Sequence, residues 1–109
     1  MTFEVRLTLS GRRDLEQLRS YLLDTVGAAR AREVLITIRD AFTTLSTFPE
    51  RGPHPKELSD LGDFDYRQII VDRYRIVYRI EGQRVLIFVV ADGRRDMQSL
   101  LTKRLLSST

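Results

Sequence analysis

Arginine is the residue type in this chain that most suggests chemistry. Sixteen of the eighteen basic residues are arginines, and each offers a planar fork of donors that matches a phosphate or a carboxylate. A genome rich in GC, or a solvated sheet face, would also produce such a bias. The clustering near the C-terminus nevertheless predicts a site for phosphate or for an acidic protein segment. Its predicted members are Arg67, Arg75, Arg79, Arg94 and Arg95.

The segment DGRRD places Arg94 and Arg95 between two aspartates at the end of an apolar run. Asp96 is suited to cap a following helix, because its carboxylate can accept the free amides of the first turn. Asp92 is expected to pair with one of the neighbouring arginines, and Gly93 to permit a sharp exit from the strand. The aspartates are therefore predicted to be structural, and the arginines to be presented at the rim of the sheet.

Candidates for acid–base chemistry are few. His54 has a suitable unperturbed pKa, but it lies between two prolines, where a surface histidine without a role is the simpler interpretation. Tyr74 and Tyr78 alternate in phase with Ile76 and are expected in the core. Tyr66 begins a predicted strand and is expected to be the freest of these tyrosines.

Composition excludes several classes of protein. The 109 residues, 42% of them hydrophobic, predict a single domain over residues 1–109. There is no cysteine, hence no disulfide, cysteine nucleophile or cysteine metal site, and we expect no metal and no cofactor. No apolar run approaches the roughly 20 residues of a membrane helix, and the alternating N-terminus does not resemble a signal peptide. We therefore expect a cytoplasmic protein without membrane contact.

The hydrophobic pattern predicts the elements that position these side chains. TFEVRLTLS alternates like a half-buried strand, and Ser10 is then expected to cap the first of two helices. Gly27 can close that helix, and Pro49 prevents extension of the second. The predicted order is a strand bearing Phe3, Val5, Leu7 and Leu9 on one face, helices over 11–27 and 28–45, a loop with a short helix over 56–61, strands over 66–71, 74–80 and 84–91, and a helix over 97–106.

This order predicts an α+β fold: an antiparallel-rich sheet, made of the N-terminal strand and a C-terminal three-stranded meander, with a helical hairpin packed on one face. The first strand is expected at an edge or beside the last strand. No second helix pair is available for the opposite face, so we expect that face to be an open groove.

The ordered set of motifs resembles the RelE/ParE superfamily of bacterial type II toxins, which includes plasmid stabilisation proteins. The resemblance rests on the N-terminal strand and helical hairpin, on LSTFPERGPHPKEL, on YRQIIVDRYRIVYRI and on VLIFVVADGRRDMQSLL. It covers almost the whole chain and implies a toxin that inhibits growth until a cognate antitoxin neutralises it. RelE-like members cleave messenger RNA on the ribosome, whereas ParE-like members inhibit DNA gyrase.

The resemblance aligns Arg75 and Arg95 with family arginines that would act in catalysis only if this chain were a ribonuclease. The terminal helix, however, has no tyrosine or histidine to serve as the general acid, and only Tyr66 and His54 remain as weak candidates. We therefore expect a ParE-like toxin that acts on DNA gyrase without catalysis. A ribosome-dependent endoribonuclease and an inactive antitoxin-binding remnant are the alternatives.

An antitoxin is the partner that the resemblance implies. The apolar residues of the first helix spread over more than one face, so part of that surface is predicted to receive an amphipathic antitoxin segment. The predicted contact residues are Tyr21, Leu22, Leu23 and Val26, and the antitoxin is expected to reach toward Arg75 or Arg95.

Overall fold

A computed structural model of the protein describes residues 2–106. Four strands and four helices follow one another in the predicted order within that range. Their bounds are β1 Glu4–Leu7, α1 Leu9–Thr25, α2 Ala28–Thr47, a single 3₁₀ turn Pro49–Arg51, α3 Lys56–Ser59, β2 Tyr66–Val71, β3 Tyr74–Glu81, β4 Arg84–Asp92 and α4 Met97–Leu106.

The strands form one sheet in the order β1-β4-β3-β2. β1 runs parallel to β4, and the other two pairings are antiparallel, so the expected α+β sheet with the first strand at an edge beside the last is confirmed. Two-residue turns connect the meander. Asp72 lies in the first of them with φ of 58°, a conformation that aspartate tolerates better than most residues.

The first helix begins earlier than the sequence predicts. Thr8, not Ser10, is its N-cap: the Thr8 hydroxyl accepts from the Gly11 amide and donates to the Ile87 carbonyl of β4. Gly11 lies so close to β4 that an added Cβ would sit 2.5 Å from the Ile87 oxygen. Contact with the sheet therefore fixes the helix start. Leu9, expected on the buried strand face, is instead a helical residue with an exposed side chain.

The helical hairpin packs on one face of the sheet as predicted. Gly27, with φ of 88°, ends α1, and its amide donates to the Leu22 carbonyl. The stripe of α2 meets the alternating residues of β3, and the expected placement of Tyr74 and Tyr78 in this core is confirmed. Its fully or nearly buried members include Leu22, Ala31, Ile38, Leu45, Ile69, Ile76, Val85 and Ile87.

The opposite face of the sheet is not an open groove, and that expectation was wrong. Both α3 and α4 pack on it, and Leu58, Met97 and Leu101 bury a second apolar cluster against Val77 and Val89. The helices that cover this face are short, but each contributes an apolar side to the sheet. The pairing of β3 with β4 shifts register at Val77 and Tyr78, which leaves Phe88 as an extra residue in β4.

Candidate functional site

Arg75 has its guanidinium fully engaged inside the protein. It donates to both carboxylate oxygens of Glu57, at 2.7 and 2.8 Å, and to the side-chain oxygen of Gln68. The arginine side chain is only 13% exposed. The Arg75 guanidinium lowers the pKa of Glu57 to about 2, so this carboxylate stays ionised at neutral pH. Arg75 thus anchors α3 to the sheet, and a phosphate would have to displace Glu57 to reach it.

Arg79 lies along the same sheet face, beyond Val77. Its guanidinium lies 5.4 Å from the centre of the Tyr66 ring and 5.2 Å from that of Phe88, while it donates to the Tyr66 hydroxyl and pairs with Glu81. Burial raises the pKa of Tyr66. Tyr66, predicted to be the freest tyrosine, is in fact only 8% exposed.

Arg67 and His54 hold the loop between α2 and β2 against the sheet edge. Arg67 donates to the carbonyl oxygens of Glu50 and Gly52 at 3.2 and 2.9 Å. The His54 Nδ1 lies 2.9 Å from the Tyr66 carbonyl oxygen, so the ring forms this hydrogen bond with a proton on Nδ1. Both side chains therefore hold the backbone of this loop in place.

The DGRRD segment behaves largely as the sequence indicates. The Arg94 guanidinium pairs with Asp92 at 3.0 Å and holds the pKa of that carboxyl below its usual value. Asp96 caps α4 by accepting from the Ser99 amide and hydroxyl. Gly93 has no unusual φ, but space beside it is tight, because an added Cβ would lie 3.3 Å from the Arg73 carbonyl oxygen.

Arg95 is separated from Arg75. β4 ends at Asp92 and a turn follows, in which the Arg95 amide donates to the Asp92 carbonyl. The strand does not continue to Arg94 or Arg95, so neither arginine is aligned with Arg75 and Arg79 on the sheet face. The exposed Arg95 lines a cleft against α1, together with Gln17 and Tyr74. Arg75 thus contacts α3, whereas Arg95 faces α1, so the two arginines that a ribonuclease would use on one phosphate lie beside different helices.

A largely buried ion pair that sequence reasoning missed connects α1 near the N-terminus to α4 near the C-terminus. Arg104 of α4 donates to both oxygens of Asp14 in α1, at 2.9 and 3.0 Å, and to the Phe88 carbonyl. Asp14 also accepts from the Val90 amide. The pair therefore forms hydrogen bonds with the backbone of β4 at Phe88 and Val90, beyond the point where β1 pairs with that strand. Asp14 lies four residues before Leu18 on the apolar stripe of α1, and a charge at such a position could have indicated from the sequence that Asp14 is paired inside the protein.

The predicted antitoxin surface is divided by the structure. Leu22 is only 5% exposed and belongs to the core, so its surface is not available to a partner. Tyr21, Leu23 and Val26 are exposed. Leu23 borders a groove of about 370 Å³ between α1 and α2. Apolar side chains line much of this hairpin groove, and arginines surround it: the lining residues are Arg19, Leu23, Ala28, Ala31, Arg32, Leu35, Ile36 and Arg39.

Comparison with known proteins agrees with this architecture. The chain is 30% identical to Toxin ParE3 of Caulobacter vibrioides over 91 residues, which span 84% of this chain and 87% of that toxin. Its fold is similar to that in the chromosomal ParDE toxin–antitoxin system of P. aeruginosa, with a TM-score of 0.69 at 14% identity over 84% of this chain and 96% of the other.

A second solved structure with a similar fold is also that of a toxin–antitoxin complex. The toxin–antitoxin complex RelBE2 of Mycobacterium tuberculosis contains a chain that is 28% identical, with a TM-score of 0.56 over 84% of this chain and 99% of that one. The family model for the ParE toxin of the type II toxin–antitoxin system parDE matches residues 5–97. The chain therefore belongs to the ParE toxin family of type II toxin–antitoxin systems.

Proposed function

We propose that this toxin acts on DNA gyrase without catalysing a reaction, and that a cognate antitoxin neutralises it. The engagement of Arg75 by Glu57 and Gln68 carries the non-catalytic part of the proposal. Cleavage of RNA requires cations for the charged transition state and a general acid within hydrogen-bond reach. Here the cation is already paired, and Tyr66 and His54 are held by other groups. Membership of the ParE family favours gyrase as the target.

Gyrase assays test this proposal directly. We expect the purified toxin to reduce supercoiling by gyrase and to accumulate cleaved DNA complexes, with no effect on an unrelated topoisomerase. An Arg95→Glu variant should be weaker, because Arg95 is exposed and retains its charge for a target, whereas Arg84→Glu at the other end of β4 serves as the control. Unchanged gyrase activity at a large molar excess of folded toxin would contradict the proposal.

A ribosome-dependent endoribonuclease remains the second candidate, and the RelBE2 relative is the observation that favours it. Primer extension on messages from expressing cells separates the two functions, since only the nuclease creates new 5′ ends within codons. Normal growth on induction of folded protein would instead favour an inactive antitoxin-binding remnant.

No helix within residues 2–106 combines the length and the apolar character of a membrane span. Both targets are cytoplasmic, and we keep the cytoplasm as the expected location.

The hairpin groove is our proposed antitoxin site. Leu23 and Ile36 are 40% and 41% exposed, although both are large apolar residues that a helical hairpin would otherwise bury. Arg19, Arg32 and Arg39 surround them. An amphipathic antitoxin helix with acidic residues beside its apolar stripe fits both features.

Substitution of Leu23 tests this contact. Leu23→Glu should weaken binding of the antitoxin encoded beside the toxin gene by about tenfold or more, because it places a carboxylate in the apolar part of the interface. Leu61→Glu is the matched control, since Leu61 is 69% exposed and follows α3 on the other side of the sheet. The measurement is co-purification followed by calorimetric titration. Equal affinity of the two variants would remove the hairpin groove from the interface.

A further inference from the structure

A cleft of about 320 Å³ lies between α1 and the end of the sheet. The first helix contributes Asp14, Gln17, Leu18 and Tyr21 to its wall, while Arg73, Tyr74, Asp92 and Arg95 line the side toward the sheet. The proposed toxin function makes no use of Arg73, Tyr74 or Gln17. The cleft is also separate from the hairpin groove, which lies on the far side of α1 with Leu23 at its border.

Tyr74 gives the cleft a polar group without a partner in the protein. Its side chain is only 6% exposed, yet its hydroxyl forms no hydrogen bond within residues 2–106. No side-chain polar atom in that range is both fully buried and unpaired, so the Tyr74 hydroxyl must reach the cleft. Tyr78 contrasts with it: that hydroxyl donates to the Pro49 carbonyl at 2.6 Å and accepts from the Gly52 amide.

Two guanidinium groups without an ion-pair partner face the same cleft. Within the described part of the chain, the side chains of Arg73 and Arg95 form no hydrogen bond and no ion pair, whereas Arg94 is paired with Asp92 and Arg104 with Asp14. Asp14 and Asp92 also line the cleft, but each is already paired with an arginine, so Arg73 and Arg95 are the charged groups of the cleft that have no ion-pair partner among the described residues. The Tyr74 hydroxyl and the guanidinium groups of Arg73 and Arg95 can therefore all donate hydrogen bonds to an acceptor bound in the cleft.

We propose that this cleft binds one carboxylate group of a partner polypeptide, an aspartate or glutamate side chain or a C-terminus. A carboxylate accepts from arginine forks and from a phenol, and the apolar walls formed by Leu18 and Tyr21 suit the carbon atoms beside it. The partner that the proposed function supplies is the antitoxin, but the carboxylate site itself does not depend on that function.

The charges around the cleft argue against a nucleic acid strand. Asp72 precedes Arg73 in the turn, and Asp92 and Asp96 flank Arg94 and Arg95. These carboxylates would repel the neighbouring phosphates of a polyanion that extends beyond the cleft. A single bound carboxylate has no neighbouring phosphates to be repelled, and Asp92, which lines the cleft, is already paired with Arg94.

Titration of the ¹⁵N-labelled full chain tests the proposal. The probe is a capped leucine–aspartate–leucine tripeptide at constant ionic strength, with the asparagine tripeptide as its neutral counterpart. We expect saturable shifts at the amides of Arg73, Tyr74 and Arg95 with the aspartate peptide alone. Shifts that spread over arginines across the surface, or equal binding of the asparagine peptide, would overturn the proposal. Tighter binding of inorganic phosphate at the same residues would overturn the assignment to a carboxylate.

Variants separate the contacts from the fold. Tyr74→Phe should weaken peptide binding about fivefold to tenfold, because it removes one donor to a charged acceptor. It should not lower stability, since no hydrogen bond within the described residues is lost. Arg95→Gln, at an exposed position, should weaken binding to a similar extent, and Arg84→Gln at the far end of β4 should not. Unchanged affinity in both Tyr74→Phe and Arg95→Gln would refute the site. The titration involves neither gyrase nor antitoxin, so its outcome is independent of the toxin function.

Discussion

Replacement of Asp14 by alanine is expected to lower the free energy of unfolding by about 3 kcal/mol and the melting temperature by roughly 10 to 20 °C. The side chains of Asp14 and Arg104 are only 10% and 15% exposed. Alanine would remove the acceptor of two bonds from Arg104 and of one from the Val90 amide. Such a loss exceeds the mean attraction of an ion pair, because buried donors then lack the acceptor for which they were desolvated. Urea unfolding and thermal melts measure it.

Two variants test the physical reason. Glu4→Ala breaks the exposed pair between Glu4 and Arg6, whose side chains are 53% and 59% exposed, and should leave stability nearly unchanged. Asp14→Asn keeps one acceptor oxygen without the charge and should fall between Glu4→Ala and Asp14→Ala. If Asp14→Ala were no more damaging than Glu4→Ala, the pair would not connect α4 to the rest of the protein as described.

The sheet and the hairpin could be predicted from the sequence because each buries one face. In β3, alternation places Tyr74, Ile76 and Tyr78 toward the hairpin, and the period of two in a strand leaves no other arrangement. The first boundary failed for a tertiary reason. Alternation continues through Leu9, but the bond between Thr8 and the Ile87 carbonyl, with the close approach of Gly11 to β4, starts the helix there.

The covered face and the ion pairs could not be predicted in the same way. An apolar side on α4 shows that the helix packs on something, but not on which surface. Arg75 and Glu57 are 18 residues apart, and Asp14 and Arg104 are 90 residues apart. Among eighteen cations and fifteen anions, spacing alone does not select these pairs. A partial signal existed: Asp14 is in phase with Leu18 and Leu22, and Arg104 with Met97 and Leu101, so each charge lies on an apolar stripe.

The predicted anion-binding site consisted mainly of arginines that already have partners within the folded protein. Arg67 and Arg79 stabilise the loop and the sheet face, and Arg75 is held by Glu57. Among the predicted members, only Arg94 and Arg95 are exposed, and Arg94 is bound to Asp92. The charge available to a partner is thus concentrated near Arg95.

Glu57→Gln should lower stability at neutral pH by about 2 kcal/mol, and this difference from the wild type should shrink as the pH falls from about 4.5 toward 2. The folded state holds the pKa of Glu57 at about 2, below its ordinary value of 4.5. A depressed carboxyl pKa contributes stability that is fully present above the unfolded value and is lost as the pH falls through the folded value. The wild type should therefore lose this advantage between about pH 4.5 and pH 2, whereas the glutamine variant should not.

Urea unfolding of the wild type and of the variant at pH 7, 4 and 3 measures the difference in the free energy of unfolding. The other carboxylates with lowered pKa values are present in both proteins, so their contributions cancel in this difference. Glu33→Gln is the control, because the Glu33 side chain is 67% exposed beside Arg30 and should give curves parallel to the wild type. A pH-independent difference for Glu57→Gln would mean that packing of α3, not the ion pair, is responsible. The same variant examines the nuclease alternative: it frees Arg75, so RNA cleavage that appears only in Glu57→Gln would show that the Glu57 carboxylate blocks a phosphate site.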